Sequence, residues 1–231
     1  MTPPAVVIAA GIGSRLRPLT ERYAKPLLPV GGRPVLAVLL RELAAAGCPH
    51  VTLVTDYLAE QVEGFVGDGS AFGVSLSTVR QSGPHGSADA VVVAQARPPY
   101  LVVGADTVFE AGEIGRFARG FETSGAAGAV AIRRCEPDEA GQNGIRVVAG
   151  AVERLHDPGS PFVGAPLWAL GAAVAAEVER LPGEPPYELA TAFQRAIDAG
   201  ERVTAIEIGP TRDLTAPDDL LLENFPYLAA L

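Results

Sequence analysis

The sequence predicts an α/β fold: a doubly wound, mainly parallel sheet with helices on both faces. Three observations carry that prediction. Apolar runs that read as strands (5–10, 51–55, 72–79 and 100–106) alternate with amphipathic stretches that read as helices, the rhythm of parallel-sheet proteins. Glycines punctuate the ends of those stretches, as at Gly47 and Gly67. The 231 residues, 48% hydrophobic, suffice for one sizeable core and are few for two.

Each element has a local reason. Residues 5–10 are continuously apolar, as expected of a strand buried on both faces. Pro34 opens a helix whose apolar positions are Val35, Leu36, Val38, Leu39, Leu40 and Leu43, and Gly47 stops it. After the strand 51–55, residues 58–66 place Leu58, Val62, Phe65 and Val66 on one helical face. Alternation over 72–79 predicts a third strand, and an Ala/Val-rich helix runs to Ala96 with Ser87 as a candidate cap beside Gly86. The apolar strand 100–106 ends in the carboxylate of Asp106. A helix over 114–121, a strand over 127–133 and a polar loop over 136–142 follow. Residues 144–148 and 151–155 read as a hairpin around Gly150. Helices are expected over 172–181 and 187–199, on either side of Pro182, Pro185 and Pro186, and a strand over 202–208. A last helix opens near Thr215 and Pro217, with Thr215 as its candidate cap.

The charge is unevenly placed. The net charge is −9, yet residues 1–41 hold Arg15, Arg17, Arg22, Lys25, Arg33 and Arg41 against Glu21 alone. An acidic body argues against nucleic-acid polymers, whereas a basic patch beside a glycine-rich loop suits a small polyanion. Cys48 and Cys135 are too few for a disulfide framework or a zinc site. No apolar run reaches membrane-spanning length and residues 1–4 carry no basic leader signal, so a cytoplasmic protein is expected.

The chemistry concentrates between Val6 and Pro34. Ala10, Gly11, Gly13, Ser14 and Arg15 form a turn at what would be a strand's C-terminal edge, where backbone N–H groups can approach a phosphate. Lys25, the single lysine in the chain, follows ten residues after Arg15. A dinucleotide fingerprint fails here: the third glycine position is Leu16, and residues 25–41 contain no acid for a ribose. A P-loop fails as well, since no Gly-Lys-Ser/Thr follows.

The stretch AAGIGSRLRPLT…KPLLPVGGRP resembles the signature of the NDP-sugar pyrophosphorylases, in particular the short sugar-1-phosphate nucleotidyltransferases. That resemblance implies a Rossmann-like nucleotidyltransferase fold. It also implies one domain over 1–231, with a nucleotide-binding part at about 1–125 and a small sugar- or acceptor-binding part at about 126–231. Arg15 would then face the leaving pyrophosphate and Lys25 the reacting phosphates, with Ala10, Gly11, Gly13 and Ser14 around the triphosphate. Gln81 and Gly86 match the family's spacing for reading a pyrimidine edge, which leans the nucleotide toward UTP or dTTP. Asp106 and Asp213 match the two carboxylates that hold Mg²⁺ in the family.

For the acceptor the resemblance points to Gly144, Arg146, His156 and Ala165. Here the chain departs from the pattern. The family's Glu-Lys-Pro is replaced by His156-Asp157-Pro158, so an expected phosphate-binding cation becomes an acid, and Arg146 and Arg154 are the candidates to compensate. Val163-Gly164-Ala165-Pro166-Leu167-Trp168 likewise stands where a more polar stretch is usual. The implied reaction is Mg²⁺-dependent nucleotidyl transfer from a nucleoside triphosphate to a sugar-1-phosphate. Two alternatives stay open: a cytidylyltransferase or other enzyme acting on a polyol or cyclitol phosphate, and a nucleotide-binding regulatory protein without turnover. Nothing in the sequence reads as an oligomerisation motif.

Overall fold

A computed structural model describes residues 2–136 and 141–225. In chain order the strands are β1 (Ala5–Ile8), β2 (Pro29–Val30), β3 (Arg33–Pro34), β4 (Val51–Thr55), β5 (Leu76–Arg80), β6 (Tyr100–Gly104), β7 (Thr107–Phe109), β8 (Gly128–Arg134), β9 (Ile145–Val148), β10 (Ala151–Leu155), β11 (Phe162–Leu170), β12 (Val203–Glu207) and β13 (Thr211–Asp213). The helices are α1 (Val35–Ala45), α2 (Ala59–Val66), α3 (Ser87–Ala94), α4 (Glu113–Ser124), α5 (Ala172–Val178), α6 (Leu189–Asp198) and α7 (Pro217–Asn224).

Nine strands form one sheet in the order β5-β4-β1-β6-β11-β8-β12-β10-β9. Pairing is parallel from β5 through β6 and again between β8 and β12. Between those blocks β11 runs antiparallel to both β6 and β8, and the β9–β10 hairpin closes the far edge. Side-chain alternation along each strand feeds two cores. Ala5 and Val7 pack with Leu36, Leu40 and Leu43 of α1 and with Ile114 and Phe117 of α4. Val6 and Val102 face the other way, toward α3, α5 and α6, where Phe193 is fully buried. The sheet is therefore covered on both faces, as predicted.

Four readings of the sequence need correction. Residues 162–170 form a central strand that the sequence reading did not assign. Gly164 and Pro166 interrupt its pattern, and they are tolerated because the ladder to β8 shifts register between Gly164 and Trp168. Residues 70–72 are a 3₁₀ turn flanked by left-handed Gly69 and Gly73, so the strand expected from 72 begins only at Leu76. Thr215 does not cap the last helix. The Asp219 carboxylate does, accepting the N–H groups of Thr215 and Ala216 at 2.7 Å each. Ser87 begins α3 after Gly86 and caps a different helix: its hydroxyl accepts the N–H of Leu189, the first residue of α6. Most of the polar loop expected over 136–142 lies outside the described residues. No described helix is long and apolar enough to cross a membrane.

Candidate active site

The glycine loop leaves β1 at the sheet's C-terminal edge and folds back on a small core of its own. Leu16, at the position a dinucleotide fingerprint gives to glycine, is buried with Leu28, Val30, Val35, Val108 and Leu214. That cluster fixes the loop to α1 and to the β7–β13 pair. Gly13 sits at φ +67°, and a Cβ there would meet Thr20 Cγ2 at 3.0 Å and the Lys25 stem at 3.2 Å. Buried Thr20 donates its hydroxyl to the Gly13 carbonyl at 2.9 Å. Glycine at 13 thus lets the lysine stem lie against the loop.

Lys25 reaches Asp106, with Nζ 2.5 Å from Oδ2. Asp106 lies just past β6, and Gly104 makes room for it: a Cβ at 104 would stand 3.0 Å from Asp106 Oδ1. The next residue begins β7, whose Thr107 pairs in register with Asp213 of β13. This two-stranded ribbon brings two carboxylates, 107 residues apart in sequence, to one place. Thr107 donates to Asp213 Oδ1 at 2.6 Å and Thr211 to Oδ2 at 3.2 Å, while Arg133 Nη2 lies 3.8 Å from Oδ2.

These residues surround a cleft with two lobes. The larger, about 500 Å³, is lined by Gly11, Gly13, Lys25, Ser87, Asp106 and Glu188 among others. The smaller, about 360 Å³, is lined by Asp106, Arg133, Asn143, Ala165, Asp213 and Thr215 among others. Asp106, His156 and Trp168 line both. A side recess is formed by Gly13, Ser14, Arg15, Lys25 and Thr215. The expected residues Gly11, Gly13, Ser14, Arg15, Lys25, Asp106, His156, Ala165 and Asp213 therefore converge.

Five others do not line the cleft. Ala10 follows β1 at the start of the loop. Gln81, 5% exposed, gives its amide hydrogens to the Gly86 carbonyl at 3.1 Å and to Asp89 Oδ2 at 2.7 Å. Gly86 is pressed on the Tyr187 backbone, where a Cβ would come within 2.3 Å of the carbonyl oxygen. Gln81 and Gly86 shape the turn that presents Ser87, whose hydroxyl also donates to Glu188 at 2.7 Å. Gly144 bridges to Val163. Arg146 forms a two-pronged ion pair with Asp157, at 2.9 and 3.1 Å, the acid that stands in the lysine's place. His156 holds φ +58°, a left-handed conformation that histidine tolerates better than most residues.

Sequence reasoning missed Arg133 and Glu188. The signal for Arg133 was present. A charge near the end of an apolar strand singled out Asp106, and the same rule applies to the end of β8.

The nucleotidyl transferase family model matches residues 4–156. The chain belongs to that family. A glucose-1-phosphate thymidylyltransferase from Streptomyces griseus is 32% identical over 95% of this chain, which spans 64% of that relative's length. The UTP–glucose-1-phosphate uridylyltransferase AglF of Haloferax volcanii is 26% identical over 93% of the chain and 92% of its own length. A solved structure of UDP-glucose pyrophosphorylase with UDP-glucose superposes over the whole of both chains, with a TM-score of 0.82 at 18% identity, which establishes the shared fold.

Proposed function

We propose that this nucleotidyltransferase moves the nucleotidyl group of a nucleoside triphosphate, UTP or dTTP, onto a sugar-1-phosphate and releases pyrophosphate. The observation that carries the reading is the Lys25–Asp106 pair at the junction of the two lobes, with Asp213 alongside. One lobe would take the nucleotide and the other the acceptor, within a single domain whose nucleotide-binding part is about 1–125 and whose acceptor-binding part is about 126–231. The names of the two relatives point the same way.

An oxygen of the acceptor phosphate attacks the α-phosphorus. The new P–O bond forms as the α–β bridging bond breaks, and pyrophosphate leaves with the electron pair. No proton moves, because a phosphate monoester is ionised near neutral pH. Backbone N–H groups around Gly11 and Gly13 would hold the triphosphate, and Arg15 in its recess with Ser14 would face the departing pyrophosphate. Lys25 would neutralise charge at the reacting phosphates. Gln81 and Gly86 would act on the base through the turn they hold, and Gly144 on the acceptor through its bridge to β11.

Asp106 and Asp213 fit a magnesium ion. They offer hard oxygen donors lining one lobe, and no group of three or more histidine, cysteine or acidic ligands occurs among the described residues. Magnesium is commonly held by one or two carboxylates, completed by phosphate and water. When bound, it would neutralise phosphate charge and orient both reactants.

One observation favours a second reading. The acceptor lobe is walled in part by Ile145, Leu155, Val163 and Ala165, which suits a phosphorylated acceptor other than a sugar. Retention of Arg15, Lys25, Asp106 and Asp213 speaks against a binding-only regulator. The test is pyrophosphate release across a matrix of nucleoside triphosphates and phosphorylated acceptors, with and without Mg²⁺. Turnover with UTP or dTTP and a sugar-1-phosphate supports the proposal. Turnover only with CTP and a non-sugar phosphate replaces it with the second reading.

A further inference from the structure

Arg133 has a nitrogen with nothing to hold. Its Nε is buried without a hydrogen-bond partner, the one buried side-chain nitrogen or oxygen so left among the described residues. A guanidinium offers five donors in a planar fork, yet this one makes only a 3.8 Å approach to Asp213 among the described residues. Buried polar groups in native proteins are nearly always paired, so an exception lining a cleft points to a ligand.

Two cations nearby are already engaged. Arg146 is paired with Asp157, and Arg134, the next residue along β8, holds Glu207 at 2.8 and 3.2 Å. Arg133 shares its lobe with Asp106 and Asp213, on the side away from the glycine loop. The chain also carries an acid, Asp157, where a phosphate-binding lysine was expected. We propose that Arg133 grips the acceptor's phosphate and takes over the charge that the His156-Asp157-Pro158 replacement removed. A planar fork suits two phosphate oxygens at once, which a lysine would meet as a point charge. Because much of the lobe wall is apolar, this contact carries a large share of acceptor affinity.

The proposal rests on the nucleotidyl-transfer reading, and one titration separates the two. Trp168, the sole tryptophan, lines both lobes and reports binding in either. Its fluorescence is followed in the full chain as inorganic phosphate, glucose 1-phosphate or dTTP is added, for wild type, Arg133→Gln, Arg133→Lys and Arg134→Gln. The expected result is a roughly 10- to 100-fold loss of affinity for both phosphate probes in Arg133→Gln, on the scale of one charged hydrogen-bonding contact. Arg133→Lys recovers part of it, and Arg134→Gln matches wild type. Affinity for dTTP stays within about 2-fold throughout, which also reports that the variants are folded. Phosphate binding unchanged in Arg133→Gln, or weakened equally in Arg134→Gln, overturns the proposal. So does parallel loss of dTTP binding in Arg133→Gln, which marks a structural role. Wild type that binds dTTP but neither phosphate probe overturns the Arg133 assignment and leaves nucleotide binding standing. Wild type that binds no triphosphate sinks the functional reading itself, and this proposal with it.

Discussion

Gly11 and Gly13 look equivalent in sequence, and the structure assigns them different work. Replacing Gly13 by alanine forces a Cβ onto a residue at φ +67°, a conformation that costs an L-residue roughly 1–2 kcal/mol. The methyl group also meets Thr20 Cγ2 at 3.0 Å and the Lys25 stem at 3.2 Å, so the lysine must move by a few tenths of an ångström or more. The combined cost is about 2 kcal/mol, which lowers the melting temperature by about 4–8 °C in a chain of this size. The same displacement pulls Nζ away from Asp106, and kcat falls by roughly 10- to 100-fold on the scale of small misplacements in active sites. Gly11 has no positive φ, and a Cβ there meets nothing within 4 Å. Gly11→Ala therefore melts within about 2 °C of wild type, and its effect falls on triphosphate KM because its backbone lines the nucleotide lobe. Thermal denaturation and steady-state pyrophosphate release, run side by side on both variants, check this. A Gly13→Ala protein as stable and as fast as wild type, or a Gly11→Ala protein destabilised equally, would refute the reasoning.

Three further outcomes are expected. Asp106→Asn and Asp213→Asn each lose at least about 100-fold in kcat while their melting temperatures stay near wild type, and chelation of divalent ions stops turnover of the wild type; kinetics with added chelator checks both. Gly86→Ala destabilises by about 2–3 kcal/mol, seen as a lower urea midpoint, because a Cβ at 2.3 Å from the Tyr187 carbonyl oxygen must push backbone aside. Glu113 is held below the ordinary glutamate value of 4.5 by hydrogen bonds from Arg116 and, secondarily, from the Gly209 N–H. A lowered carboxylate contributes stability above its unfolded pKa and loses it as pH falls through the folded one. Glu113→Gln is accordingly less stable than wild type by about 1 kcal/mol at pH 7, and the gap narrows in urea titrations as the pH falls below the ordinary glutamate value of 4.5 and through the lowered folded one.

Much of this was legible because local chemistry and global fold agree. Val51–Thr55 is the strand its apolar run announced, and Ala151–Leu155 pairs with Ile145–Val148 as the hairpin expected around Gly150. Asp106 stood out as a charge closing an apolar run, and its geometry follows from that position. The failures have physical causes. Pro166 and Gly164 hid β11 because a register shift lets a strand accept residues that ordinarily break one. Residues 72–79 alternate in sequence, but Gly73 at φ +82° turns the backbone before a ladder can start. Arg146 looked available only because pairing across a hairpin is invisible in a linear reading; folding brings it to Asp157, eleven residues away. Asp213 shows the converse. A short motif suggested it, and the in-register pairing of β7 with β13 explains why an acid so distant in sequence stands beside Asp106.

The central claim is that an acceptor phosphate attacks the α-phosphorus of a triphosphate in this cleft. The most direct measurement labels the phosphate oxygens of a panel of sugar-1-phosphates with ¹⁸O, incubates each with the protein, Mg²⁺ and UTP or dTTP, and reads the products by mass spectrometry. The account predicts a nucleoside diphosphate sugar that retains all of the label, with unlabelled pyrophosphate. Label in the pyrophosphate, or release of inorganic phosphate in place of pyrophosphate, would contradict it.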